Sequence, residues 1–235
     1  MVVSIILLCL GAIMSSIFIV SKVTNYSLKT IIFKTIASLF FVALGIYLFI
    51  TVPGHFVYKL LVMLGLIFGM LGDVLLGFKY ITHGLVKKIW ILAGMFAFAA
   101  GHVLYIVAIF VEYYIPGNVL FIILPFVTAL VLSGIYMIIS RKVGINFGKL
   151  LPFGLFYLAC LSTMISASLY MAILHQFQVV NIVMFFIGAV FFGASDSMLT
   201  GSYFKKGQRS KAYNATYSVF YYLAQFIIAF ALFFL

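Results

Sequence analysis

The sequence predicts an all-α, polytopic membrane bundle of eight transmembrane helices, a single integral-membrane domain over residues 1–235. Three observations lead there. Of 235 residues, 67% are apolar and only 7% are charged, a balance no soluble domain of this size tolerates on its surface. The apolar residues form eight runs of the length needed to cross a hydrocarbon core of about 30 Å, which takes about 20 helical residues. The basic residues gather in alternate connections between those runs. Runs this long and this continuously apolar do not suit barrel strands, so helices are the spanning elements.

The first run, 2–21, lacks a charged leading segment and a small-residue cleavage site, and reads as a retained span. The second, 31–52, carries Lys34 about one turn inside, where its ammonium can snorkel to the surface or meet a phosphate. A short hinge at 53–56 leads into the third run, 57–78. There "GMLGDVLLGF" sets Asp73, one of three acidic residues in the chain, inside a greasy stretch. Gly65, Gly69, Asp73 and Gly77 recur at intervals of four, one stripe of a helix. Small residues let neighbouring helices approach closely, so Asp73 should point into the bundle.

The fourth run, 89–112, contains "GHVLY", with His102 and Tyr105 on one face, and ends at Glu112, read as interfacial. The fifth and sixth runs cover 118–140 and 150–174. In the seventh, 179–200, "FFGASDSMLT" repeats the third-run arrangement with Gly193, Asp196 and Thr200. The last, 214–235, bears a polar stripe of Asn214, Ser218, Tyr221, Tyr222 and Gln225, either interhelical hydrogen bonding or a site wall.

Orientation follows from the lysines and arginines. The first, third, fifth and seventh connections, with their helix ends, hold 13 of the 14 basic residues, Lys206 and Arg209 among them, leaving Lys59 for the other side. The positive-inside rule therefore places those connections in the cytoplasm and both termini on the non-cytoplasmic side. The net charge of +11 is accordingly a membrane signal, with anionic lipids as neighbours and no need for a nucleic-acid partner. The four histidines are isolated, and Cys9 and Cys160 form no paired motif, so neither a metal site nor a disulfide framework is expected. No phosphate loop, metalloprotease or serine-hydrolase motif occurs.

An ionisable group at membrane depth costs several kcal/mol unless it faces the bundle interior or water, which makes it a functional candidate. Asp73 lies six residues before Lys79, and Asp196 nine before Lys205, about 9 and 13 Å of helix rise. Both carboxylates thus sit on the cytoplasmic side of the core and can share a site. Low dielectric and mutual repulsion would then leave an acid beside an anion. The alternative is that each Asp only glues helices or pairs with a snorkelling lysine. His102 lies fourteen residues beyond Lys88, about 21 Å, deeper than either Asp. It is expected to line the far end of a cavity or to bond another helix.

The stretches "GMLGDVLLGF", "AAGHVLYI", "GASDSMLT" and "YYLAQF", in this order, resemble the motifs of the YhhN family of membrane proteins, which includes the lysoplasmalogenases. That resemblance covers nearly the whole chain. It implies an ether-bond hydrolase that cleaves the vinyl ether of a lysophospholipid substrate to a fatty aldehyde and a glycerophospho-ethanolamine or -choline, without a cofactor. It also implies a bacterial inner membrane or a eukaryotic endoplasmic reticulum as the location. Asp73 and Asp196 match the family's proposed catalytic acids, with His102, Tyr105, Tyr222 and Gln225 as motif companions and Lys34 as a further substrate-binding candidate. Lys34 is followed by Thr35 where the family pattern has proline.

The chemistry agrees with the residues. A vinyl ether resists base but opens when a proton reaches its outer alkene carbon, giving an oxocarbenium ion that water captures. The two carboxyl groups of glycosidases handle a related cation. Two other classes use buried aspartates. An intramembrane aspartyl protease is disfavoured because Met70 stands where its GxGD pattern needs glycine and no PAL motif occurs. A proton-coupled transporter is the stronger alternative, although Pro53, Pro116, Pro125 and Pro152 lie mostly near span ends and not in broken helices.

Overall fold

Continuous apolar sequence closes its backbone hydrogen bonds locally, and the chain does so in eight helices. They are α1 (Val2–Thr24), α2 (Leu28–Thr51), α3 (Phe56–Phe78), α4 (Gly84–Glu112), α5 (Leu120–Lys142), α6 (Leu151–Leu174), α7 (Val180–Phe204) and α8 (Lys211–Ala231). Single 3₁₀ turns at Gly148–Leu150 and Leu232–Phe234 complete the regular structure. The computed structural model describes all residues except 114, 116–118, 206 and 208–209, with the backbone alone at 121. Lys206, Arg209 and Pro116 therefore lie outside the described residues. Each of the eight helices is long and apolar enough to span a membrane, and no strand occurs among the described residues.

Polar residues set the helix ends. Ser27 and Thr30 form a reciprocal capping box at the start of α2, and Ser210 Oγ accepts from the Tyr213 amide at the start of α8. Pro152 sits in the first turn of α6, where a missing N–H costs nothing. The 53–56 hinge does separate two helices, with Gly54 and His55 both at positive φ. Buried Lys59 donates to the carbonyls of Phe49 and Val52, so the one basic residue at this end closes the C-terminus of α2. Glu112 is not idle either, since its Oε1 lies 2.5 Å from His55 Nδ1.

Helices α1, α2, α3, α4, α6, α7 and α8 pack in that order into a ring that closes between α8 and α1. Within it, α8 also touches α2 and α3. Helix α5 packs substantially on α6 alone and exposes Ile122, Leu130, Ile135 and Ile138 outward. At one end of the ring, Asn181 accepts from the hydroxyls of Tyr58 (2.8 Å) and Tyr113 (2.7 Å) and donates to Ala231 O (2.7 Å). That residue fastens α3, α7, α8 and the end of α4 through both faces of its amide.

The glycine stripe of α3 behaves differently from a single contact face. A Cβ on Gly65 would meet the Tyr105 ring of α4 at 2.3 Å, on Gly69 the Gln225 amide of α8 at 2.5 Å, and on Gly77 the Ile31 side chain of α2 at 3.1 Å. Four residues advance a helix by about 400°, so the row drifts by about 40° per step and visits three neighbours. Contact between α3 and α4 instead uses a spacing of seven: Gly65 and Gly72 on α3 oppose Gly101 and Gly94 on α4.

Candidate active site

Asp73 emerges from this drift pointing between α2 and α8, almost fully buried. Its Oδ1 lies 2.8 Å from Lys34 Nζ, which also donates to the Asp73 carbonyl at 3.1 Å. Its Oδ2 lies 2.5 Å from Ser38 Oγ and accepts from Tyr221 OH at 2.7 Å. Lys34 therefore does not snorkel to the surface; it pairs with a carboxylate on the cavity wall. Both oxygens of this buried carboxylate are thus engaged, one in an ion pair and one in two hydrogen bonds.

Asp196 has a different setting. Its one hydrogen bond from a described side chain comes from Tyr157 OH of α6 to Oδ2, and no described lysine or arginine forms an ion pair with it. Its carbonyl accepts from Thr200 at 2.7 Å, an ordinary i−4 bond. Oδ1 takes no hydrogen bond among the described residues, which leaves it for the cavity that Asp196 lines.

Asp73 and Asp196 line the same cavity, together with Lys34, Tyr157, Tyr221 and Phe98. Together with the open space at its mouth it encloses about 1090 Å³. Its walls come from α1 to α8, at the end of the ring where α1, α3 and α7 finish and α2, α4 and α8 begin. The rings of Phe98 and Phe192 pack edge-on to Tyr221 and to each other, a dry floor against the acids.

The remaining expected residues stand behind this wall. His102 is buried and bonds another helix: its Nε2 lies 3.2 Å from Tyr157 OH, which in turn donates to Asp196. Its Nδ1 has no partner among the described residues, and because the Tyr157 proton goes to Asp196, Nε2 is the side that donates to Tyr157. Gln225 donates to Tyr221 OH at 3.1 Å and accepts from Tyr105 OH at 3.4 Å, so both brace the tyrosine that holds Asp73. Tyr222 donates to the Lys34 carbonyl at 3.3 Å. None of these four lines the cavity; they position the residues that do.

A family model describing the YhhN family matches residues 29–232, most of the chain. The chain belongs to the YhhN family. No curated protein and no solved structure matches it significantly. In this YhhN protein the matched stretch takes in both aspartates, the Lys34 partner and the Tyr157 bridge, and leaves out α1.

Sequence reading missed Ser38 and Tyr157. Neither stands in a charged or glycine-rich context, and Tyr157 meets Asp196 across 39 residues of chain. The available signal was a lone tyrosine within an otherwise greasy half of α6, too common in membrane helices to single out.

Proposed function

We propose that the protein is a lysoplasmalogenase-like hydrolase, cleaving the vinyl-ether bond of lysoplasmalogens by two-aspartate acid catalysis. The observation that supports this most is the unequal setting of two carboxyl groups on one cavity. Asp196, with no ion-paired cation and one oxygen uncommitted among the described residues, is the group suited to carry a proton and deliver it to the outer alkene carbon. Asp73, fixed as an anion by Lys34, Ser38 and Tyr221, is engaged at both oxygens and so is a poor nucleophile. It serves as a counter-charge to the oxocarbenium ion. Water adds to that cation, its surplus proton returns to Asp196, and the hemiacetal collapses to aldehyde and alcohol. Tyr157 orients Asp196 throughout, with His102 holding Tyr157.

Purified protein in detergent, given lysoplasmalogen, acyl lysolipid and peptides in parallel, should release fatty aldehyde from the first alone. The saturated ether analogue cannot form the cation by protonation at carbon and should act as a competitive inhibitor. In deuterated water, aldehyde trapped promptly by reduction should carry one deuterium beside the former carbonyl. Product without deuterium, or acyl lysolipid hydrolysed equally fast, excludes the mechanism.

We also infer that both termini face away from the cytoplasm, because the basic residues gather at the opposite end. In a background with Cys9 and Cys160 replaced, His83→Cys and Gly207→Cys should resist an impermeant thiol reagent in intact cells. Ile115→Cys should label. The reverse pattern inverts the orientation.

A further inference from the structure

The chain has three acidic side chains, and the structure accounts for each: Asp73 pairs with Lys34, Glu112 lies against His55 at the far end of the bundle, and Asp196 takes Tyr157. No acidic side chain among the described residues forms an ion pair with two other lysines, one on the cavity wall and one behind its tyrosines. Lys22 of α1 lines it, with Nζ 2.6 Å from Ser218 Oγ and 3.8 Å from the centre of the Tyr217 ring. Lys79, just past α3 and only 3% exposed, sets Nζ 2.7 Å from the centre of the Tyr203 ring and 4.3 Å from that of Tyr80, both cavity-lining. The Lys79 ammonium makes no hydrogen bond or ion pair among the described residues.

A buried and a half-buried lysine, neither in an ion pair among the described residues, are costly to maintain as cations. Burial, and then the charges of Lys22, Lys34 and Lys87, push the Lys79 ammonium well below the ordinary lysine range. An anion entering between them relieves both costs.

We propose that Lys22 and Lys79 form a binding site for the phosphate of a lysophospholipid head group, at the tyrosine-lined mouth of the cavity. The site rests on the reading of the cavity as a lysolipid site and adds what recognises the head group. Lysine is a flexible point-charge donor suited to phosphate. The tyrosine faces beside them are already covered by the protein's own ammonium groups. A cationic head group finds no free aromatic cage there, which favours an anion over a choline. Lys79 follows Asp73 by six residues, about 9 Å of helix rise, a span of the order a glycerol link bridges between vinyl ether and phosphate. The lysines also stand at the basic end of the bundle, where lipid head groups lie.

The test compares two ligands that the protein does not turn over: a labelled saturated 1-alkyl lysophospholipid and the matching 1-alkylglycerol, which lacks the phosphate. Binding is measured on the purified full-length protein. Wild type should bind the phosphate-bearing lipid more tightly. The double variant Lys22→Met, Lys79→Met should weaken that lipid by at least about tenfold, the loss of a charge-assisted bond. Alkylglycerol affinity should change by less than about twofold, which also reports an intact fold. Lys79→Arg should retain most of the preference. If the double variant does not fold, Lys22→Met alone carries the same comparison.

A phosphate preference that survives both losses overturns the site, whatever the aldehyde assay shows. Loss of the preference upholds it even if no vinyl ether is cleaved, because neither ligand reports turnover. Inorganic phosphate, at ionic strength matched with chloride, should displace the lysolipid only weakly. If it bound wild type as tightly as the lysolipid, the cluster would serve a free anion and the lipid assignment would fail.

Discussion

Asp196→Asn should lower aldehyde release by roughly 10²- to 10⁴-fold, the range by which a positioned general acid speeds a reaction. Asparagine keeps the volume and can still accept from Tyr157, so the helix packing should survive while the transferable proton is lost. Asp73→Asn should cost a similar factor for another reason: the amide keeps contact with Ser38 and Tyr221 but offers no negative charge to the cation. His102→Ala should do less harm, because its ring reaches Asp196 only through Tyr157. Rates from purified, folded variants decide the matter. Substantial turnover in either Asp variant removes that residue from the chemistry, and a His102 loss as deep as theirs gives the ring a direct part.

The second large effect is on stability. Lys34→Met strands the Asp73 carboxylate, whose side chain is 2% exposed, without the cation that pairs with it among the described residues. Breaking a buried pair from one side costs roughly 3–5 kcal/mol, unless the carboxylate takes up a proton. Either response silences the site, so activity should fall together with thermal stability. Combining Lys34→Met with Asp73→Asn removes both charges and should restore much of the stability without restoring aldehyde release. A Lys34→Met variant as stable and as active as wild type would show that the pair does not hold the anion.

Hydropathy and charge made the bundle legible. Each of the eight runs became a helix, with ends moved by two to five residues in several places, as at α4, which begins at Gly84 and not 89. Its 29 residues extend about 44 Å, more than a bilayer core, so part of α4 tilts or protrudes. The depth counted from Lys88 agrees with the contacts: Gly101 lies against Gly65, two turns of α3 from Asp73, and His102 packs on Phe192, one turn of α7 from Asp196, which it reaches through Tyr157. Lone acids in apolar runs pointed correctly to residues that share a cavity, because such groups must find polar company. What that company is depends on which helices are neighbours. Ser38 and Tyr157 became visible only once α2 lay against α3 and α6 against α7.

The drifting row of glycines on α3 has a consequence for genetics. Alanine at Gly65, Gly69 or Gly77 removes the same kind of space, yet second-site revertants should not fall in a common place. Relief of Gly65→Ala should map to position 105 in α4, that of Gly69→Ala to 225 in α8, and that of Gly77→Ala to 31 in α2, each by a smaller side chain. Suppressors gathered on one helix would mean that the row is a single seam after all. Three separate addresses would make α3 the axle on which the other helices are independently gauged.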